Sequence, residues 1–226
     1  MRMALVKKEI SELFYPGLIA LAVLLFQVGL LTHWSFLTRV PLFSLFKIHL
    51  GELASVPFQD GRMHTGLALV GGALLACMAF WQTLAAERQG TFPFLLHLPF
   101  SRIELFLTKM IAAMGVYFPV LLAPVLVYGW WASVPGHHPS PFDWSMLDRP
   151  FWLIFSLPIL YFTWMIIYLL QGINFGMRLL PLITATFLMF VCFDFSLWWL
   201  WRFLLIVLAE AGLILVICNL AEERDF

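Results

Sequence analysis

The sequence predicts an all-α membrane protein: six transmembrane helices, an N-terminal amphipathic interfacial helix and a short cytoplasmic helix. Three observations carry that prediction. Of 226 residues, 62% are hydrophobic and 12% charged, with a mean hydropathy of +0.93, against roughly 45–50% and about 25% in soluble domains. Apolar runs near the ~20 residues a bilayer crossing needs fall at 18–34, 64–86, 103–131, 151–170, 179–193 and 197–220. Polar or turn-forming stretches separate them, so 1–226 reads as a single transmembrane domain with little left for a soluble one.

The N-terminal stretch, 1–15, repeats Met3, Val6, Ile10, Leu13 and Phe14 at helical spacing, with Arg2, Lys7, Lys8, Glu9, Ser11 and Glu12 elsewhere on the wheel. That pattern predicts a helix lying flat on the cytoplasmic leaflet, turned into the first span by Tyr15-Pro16-Gly17. No short apolar core ends in a small-residue cleavage site, so no cleavable signal peptide is expected. After the first span, Pro41 opens a run in which Leu42, Phe43, Leu45, Phe46, Ile48, Leu50 and Leu53 sit among Ser44, Lys47, His49 and Glu52. Within the outer segment 35–63 this reads as a second surface helix or a short buried helix roofing a cavity.

In the second span Ala68, Gly72 and Ala76 fall four apart, a row of small residues that admits another helix closely, from this chain or from a second subunit. The third span is long enough to tilt or project from the membrane. The outer loop 132–150 is punctuated by Pro135, Gly136, Pro139 and Pro141. Its His137, His138 and Asp143 do not form a zinc-ligand pattern, because adjacent histidines cannot share one helix face, and no metal is expected. Pro158 is the expected kink of the fourth span. The last span carries Glu210 about midway, where a bare carboxylate is costly. It is either functional in the substrate path or a structural hydrogen-bonding group.

With both ends cytoplasmic, Arg2, Lys7, Lys8, Arg88, Arg102, Lys109, Arg178 and Arg224 lie inside and Arg39, Lys47, Arg62, Arg149 and Arg202 outside, a bias of the right sign. Trp34, Trp130, Trp131, Trp144, Trp152, Trp198, Trp199 and Trp201 then fall at the outer interface. The expected location is the inner (cytoplasmic) cell membrane. A net charge of +0 offers no electrostatic case for nucleic acid. Cys77, Cys192 and Cys218 sit in apolar runs as small hydrophobes.

The densest mixture of charge, Gly, Pro and large apolar side chains is 87–102, between the second and third spans. Gly90 and Pro93 break the incoming helix. Phe92, Phe94, Leu95, Leu96 and Leu98 follow, and Pro99 closes the segment. Ser101 is placed as N-cap of the next helix, with Glu104 completing a capping box. An apolar-faced helix held here needs something to dock into. Otherwise it is an ordinary loop on the headgroups. No G-x-x-x-x-G-K-[ST], H-E-x-x-H or G-x-S-x-G is present and no Ser, His and acid cluster, so no catalytic residue is assigned.

The lysine-rich N-terminal helix with Lys-Lys-Glu-Ile, the six spans, and the run from Glu87 to Lys109 together resemble the transmembrane subunits of type-2 ABC exporters. The family pattern of Glu, Gly-Thr, paired leucines, Pro-x-Ser-Arg and Lys falls on Glu87, Gly90, Thr91, Leu95, Leu96, Pro99, Ser101, Arg102 and Lys109. Two departures stand out: Asp194 to Ser196 leaves no room for helices dipping back between the last two spans, and Pro93 lies inside the motif stretch. The resemblance implies a permease half coupled to a separate ABC ATP-binding subunit, which would hold the ATP and Mg, leaving no cofactor in this chain. It also implies a coupling role for the cytoplasmic helix. Phe92, Phe94, Leu95 and Leu96 would enter a groove on the ATPase, fixed near the surface by Glu87 and Arg102. Six spans are few for a polar path, so a second permease subunit, identical or not, is expected, surrounded by membrane lipids. Two other classes stay open: a non-transporting scaffold, and an intramembrane enzyme using His97, Glu104 or Asp194.

Overall fold

The computed structural model of the chain describes residues 2–32, 58, 61–85, 101–138, 141–170, 180–188 and 199–223. They are helical nearly throughout, with no strand among them. Helix α1 is Arg2–Leu31. Helix α2 is Gly61–Phe80, continued by a π-helical turn, Trp81–Ala85. Helix α3 is Arg102–Ser133. A 3-10 turn, Trp144–Leu147, leads into α4, Asp148–Ser156, and α5, Pro158–Leu169. Helix α6 covers 180–188 and α7 is Trp199–Glu223. Among the described residues, five helical stretches are long and apolar enough to cross a bilayer: Met3–Leu31, Met63–Thr83, Arg102–Ser133, Trp144–Leu169 and Trp199–Glu222. The chain is thus a multi-pass membrane protein. Of the expected fifth span, 179–193, residues 180–188 are helical and the rest lies outside the described residues.

The N-terminal expectation needs correction. No turn forms at Tyr15-Pro16-Gly17: α1 runs unbroken through Pro16 for 30 residues, about 45 Å at 1.5 Å per residue. A proline inside a membrane helix removes one donor, which neighbouring helices and local adjustment compensate. Gly17 supplies the close contact, since a Cβ there would come within 2.6 Å of Val116 Cγ1 on α3. The apolar face expected to rest on headgroups divides: Met3 is 85% and Phe14 55% exposed, whereas Leu13 is buried, and so is Glu9 from the polar side.

Helices α1 and α3 pack along much of their length, with α2 against α1 and α5. Gly66 on α2 seats the Gln27 side chain of α1, and Gly71 meets Leu121 of α3 and Leu157 between α4 and α5. The stretch Trp144–Leu169 is the most enclosed, 67% buried over its apolar part, and Trp199–Glu222 the least, at 11%. So α4 and α5 sit centrally while α7 lies on the periphery, against α5 and α3, with Phe203, Leu208 and Leu215 turned out. Cys77 also faces outward rather than into the core, and Cys218 is half-buried.

Two helix starts follow local chemistry. Ser101 has extended dihedrals and its Oγ accepts from Glu104 N at 3.2 Å, so the expected N-cap of α3 is observed. The loop expected over 132–150 becomes helical early because Asp143 caps the 3-10 turn, accepting from Ser145 N at 2.9 Å. The kink expected at Pro158 is present as the break between α4 and α5. Proline has no N–H for the carbonyl four residues earlier, and the Tyr117 hydroxyl of α3 donates to that orphan, Ile154 O, at 2.8 Å.

Phe58 packs against the end of the bundle where Tyr128 and Phe142 lie. It is 3% exposed and its ring meets Tyr128 edge-on at 4.7 Å and Phe142 at 6.4 Å. Its φ of 62° is uncommon for a bulky residue, and the aromatic contacts are what hold it there.

Candidate functional site

The chemistry of the described residues concentrates at the opposite end, where α1, the π turn after α2, α3 and α5 meet. Glu9 and Lys109 form an ion pair, Nζ to Oε1 3.0 Å, with side chains 2% and 3% exposed. Gln82 in the π turn adds its amide: Nε2 donates to Glu9 Oε2 at 3.3 Å and to the Lys109 backbone carbonyl at 3.0 Å. The Tyr161 hydroxyl of α5 donates to Gln82 Oε1 at 2.6 Å. Each polar group of the Gln82 side chain is thereby engaged, and four helical elements are tied at one level.

Burying these charges is tolerable only as a satisfied set. An ion removed from water costs several kcal/mol, and the partner must return it through Coulomb attraction and hydrogen bonds. Glu9 here receives an ammonium on one oxygen and an amide on the other. Glu9 and Lys109 also sit at the same depth, equally far past the arginines that open α1 and α3. The two helices run parallel, and that equal depth brings the opposite charges face to face.

The network lies on the flanks of the motif-bearing segment. The π turn ends at Ala85 and α3 opens after its cap, Ser101. Between them, Glu87, Gly90, Thr91, Phe92, Phe94, Leu95, Leu96 and Pro99 lie outside the described residues, as does His97. Ser101 caps α3, and Arg102 Nη1 donates to the carbonyl of Glu222 in the last turn of α7 at 3.3 Å, where a cation complements the helix dipole. The C-terminal end of α7 is thereby drawn to the same end of the bundle.

The remaining sequence candidates are dispersed. Ala68, Gly72 and Ala76 form a half-buried row. Gly72 looks toward Leu160 at 3.9 Å from an added Cβ, while the tightest approach is one residue away at Gly71, 2.8 Å from Leu121 Cδ2. Glu210 is half-buried at mid-helix in α7, within electrostatic reach of Tyr117, and its Oε1 has no hydrogen-bond partner among the described residues. His137 stacks on Trp131 at 5.4 Å with Nδ1 3.1 Å from the Trp131 carbonyl, and Asp143 serves as a helix cap. Among the described residues no group of three or more His, Cys, Asp or Glu is placed to hold a metal.

Sequence reasoning counted Lys109 among the cytoplasmic charges and set Glu9 off the apolar face of its helix, and it passed over Gln82 and Tyr161. The one signal in the sequence is positional: an acid and a base at matching depth in two helices of the same direction. No family model matches this chain, and neither a curated protein nor a solved structure matches it.

Proposed function

We propose that the chain is the membrane-spanning permease subunit of an ATP-driven ABC exporter, coupled to a separate ATP-binding subunit and working with a second permease subunit. The observation that carries the reading is the Glu9–Lys109–Gln82–Tyr161 network. It fastens α1, α3 and α5 to the turn from which the 86–100 segment departs, so a push on that segment reaches the spans as a unit. A loop resting on headgroups has no use for a buried ion pair at its root, which is costly to maintain. Residues Glu87, Gly90, Thr91, Phe92, Phe94, Leu95, Leu96, Pro99, Ser101 and Arg102 are the coupling set in this reading, with the apolar members entering a groove on the ATPase.

Six crossings fit the connectivity. Leu169 and Glu223 close helices that end near the network: Tyr168 packs on Phe80 at 6.1 Å and Arg102 holds Glu222. In this reading the sixth crossing lies between them and includes the helical residues 180–188. ATP-driven closure of the partner subunits then shifts the coupling helix and tilts the network-bound spans, opening a path or lateral cleft. Both termini are cytoplasmic, in the inner membrane.

Co-purification of the full chain from native membranes, followed by ATP-dependent transport in proteoliposomes, tests the reading. An ATPase subunit in the complex is expected, and Leu95→Asp should insert normally while uncoupling ATP hydrolysis from transport. A complex with no ATPase, or normal coupling in Leu95→Asp, overturns it. A partner captured without any transport would make the chain a scaffold.

A further inference from the structure

Along α7 the side chains that share a face with Glu210 do not share one environment. Toward the cytoplasmic end Leu213 and Ile214 are half-buried against the core, and Ile217 and Ala221 are fully enclosed, each 0% exposed. Toward the outer end Ile206 is buried, but Val207 and Phe203, at i−3 and i−7 on the same side of the helix, are 44% and 57% exposed. Glu210 therefore sits where a closed packing seam opens to lipid along one flank. It is itself half-buried, and its Oε1 has no hydrogen-bond partner among the described residues.

Its neighbours bring it no donor. Helices α3 and α7 run in opposite directions from the tie between Arg102 and Glu222, which places Glu210 about 18 Å from that tie at 1.5 Å per residue, within electrostatic reach of Tyr117. The Tyr117 hydroxyl spends its one proton on the Ile154 carbonyl and offers Glu210 only an oxygen. Lys109 is committed to Glu9, Lys8 to Glu12 and Arg102 to the Glu222 carbonyl. Arg202 lies about 12 Å toward the outer end of α7 and is itself engaged. A carboxyl oxygen held out of water without a donor is costly. The side from which a donor can come is the flank of Val207 and Phe203, which at that depth faces acyl chains.

We propose that this flank of α7 is a binding site for a membrane-dissolved amphiphilic amine, whose protonated nitrogen donates to Glu210 Oε1 while its apolar chain lies along Val207 and Phe203. Charge sets the class. An anionic headgroup meets like charge at Glu210. A neutral alcohol brings a donor without the Coulomb attraction, which is the larger part at low dielectric. A hydrated metal ion would have to shed its water for a single carboxylate. The site stands without the permease reading, and only its use as a station for cargo rests on that reading.

The test uses the full chain in lipid nanodiscs, without an ATPase. A dodecyl dimethylamine carrying a diazirine in its chain is photolysed in the membrane, and the modified peptides are mapped by mass spectrometry. Labelling is expected to concentrate on α7 around Phe203 and Val207, and to be displaced by excess N,N-dimethyldodecylamine but not by dodecanol. In Glu210→Gln it should fall at least about tenfold, the ratio for losing one hydrogen bond to a charged group. Glu210→Leu, whose side chain suits lipid, carries the comparison if Glu210→Gln does not fold, and the displacement arm needs no variant. Labelling that merely follows lipid exposure over all the helices, equal displacement by dodecanol, or unchanged labelling in a folded variant overturns the proposal. Specific labelling without ATP-dependent transport by the assembled complex would sink the permease reading alone. Transport without such labelling would sink this site alone.

Discussion

The Tyr117 hydroxyl replaces the donor that Pro158 withholds from Ile154. Its 2.8 Å bond to the Ile154 carbonyl joins α3 to the break between α4 and α5, in the most enclosed part of the bundle. Tyr117→Phe leaves that carbonyl unsatisfied and should lower stability by about 1–3 kcal/mol, toward the low end because interhelical hydrogen bonds in membranes are modest. Pro158→Ala restores a backbone donor for the same carbonyl, so Tyr117→Phe should cost markedly less in that background. Thermal unfolding of the four proteins in one detergent measures the coupling. Equal costs in the two backgrounds would show that the hydroxyl is not standing in for the proline.

For Glu9 and Lys109 the sign of the double mutant is the informative quantity. Glu9→Leu or Lys109→Met alone strands a buried charge, and each should destabilise the chain by about 3–5 kcal/mol. The double variant removes both ions and should recover most of the loss, since apolar replacements of a buried pair are often neutral or better. Additive losses in a double-mutant cycle would mean that the two groups are not paired.

Much of the architecture could be read in advance because it follows from solvent. Apolar runs of spanning length, Trp130, Trp131, Trp144 and Trp199 near one end of their helices, the cap at Ser101 and the break at Pro158 all follow from local chemistry, with no knowledge of neighbours. Glu9 could not be placed that way. A helical wheel ranks it with Lys7, Lys8 and Glu12 as a face for water, and Lys8 and Glu12 do behave so, pairing at 3.6 Å on the exposed side. What draws Glu9 inward is Lys109, 100 residues away in the chain. The turn expected at Tyr15-Pro16-Gly17 failed for the same kind of reason. Pro and Gly together signal a break in water, but in this bundle Gly17 is the notch that receives Val116, and straightness is what brings Glu9 to Lys109.

That notch and its counterpart on α2 give a packing prediction. At Gly71 an added Cβ would lie 2.8 Å from Leu121 Cδ2 and 3.0 Å from Leu157 Cδ1. Alanine can be admitted by rotating two leucine termini, whereas Gly71→Val should overpack the α2–α3 seam and cost about 1–3 kcal/mol. Gly115 and Gly212, where an added Cβ would meet nothing within 4 Å among the described residues, should accept alanine without loss, or gain slightly from helix propensity. Thermal unfolding across this set tests the seam, and a harmless Gly71→Val would mean that α2 and α3 do not approach as described.

Glu210 separates function from stability. At mid-helix in α7 a carboxylate costs about 2.5–3.5 kcal/mol on insertion scales, and its Oε1 finds no hydrogen-bond partner among the described residues. If the group served the fold, removing it would weaken the protein. The orphaned oxygen argues the reverse: Glu210→Leu should be at least as stable as the parent, because it replaces a costly side chain with one suited to lipid. On the permease reading a costly residue of this kind serves the transport path, and Glu210→Gln and Glu210→Leu should then both insert and assemble normally yet lose most ATP-dependent transport in proteoliposomes. Unchanged transport in Glu210→Gln would remove Glu210 from the path, and a large stability loss in Glu210→Leu would return it to a structural role.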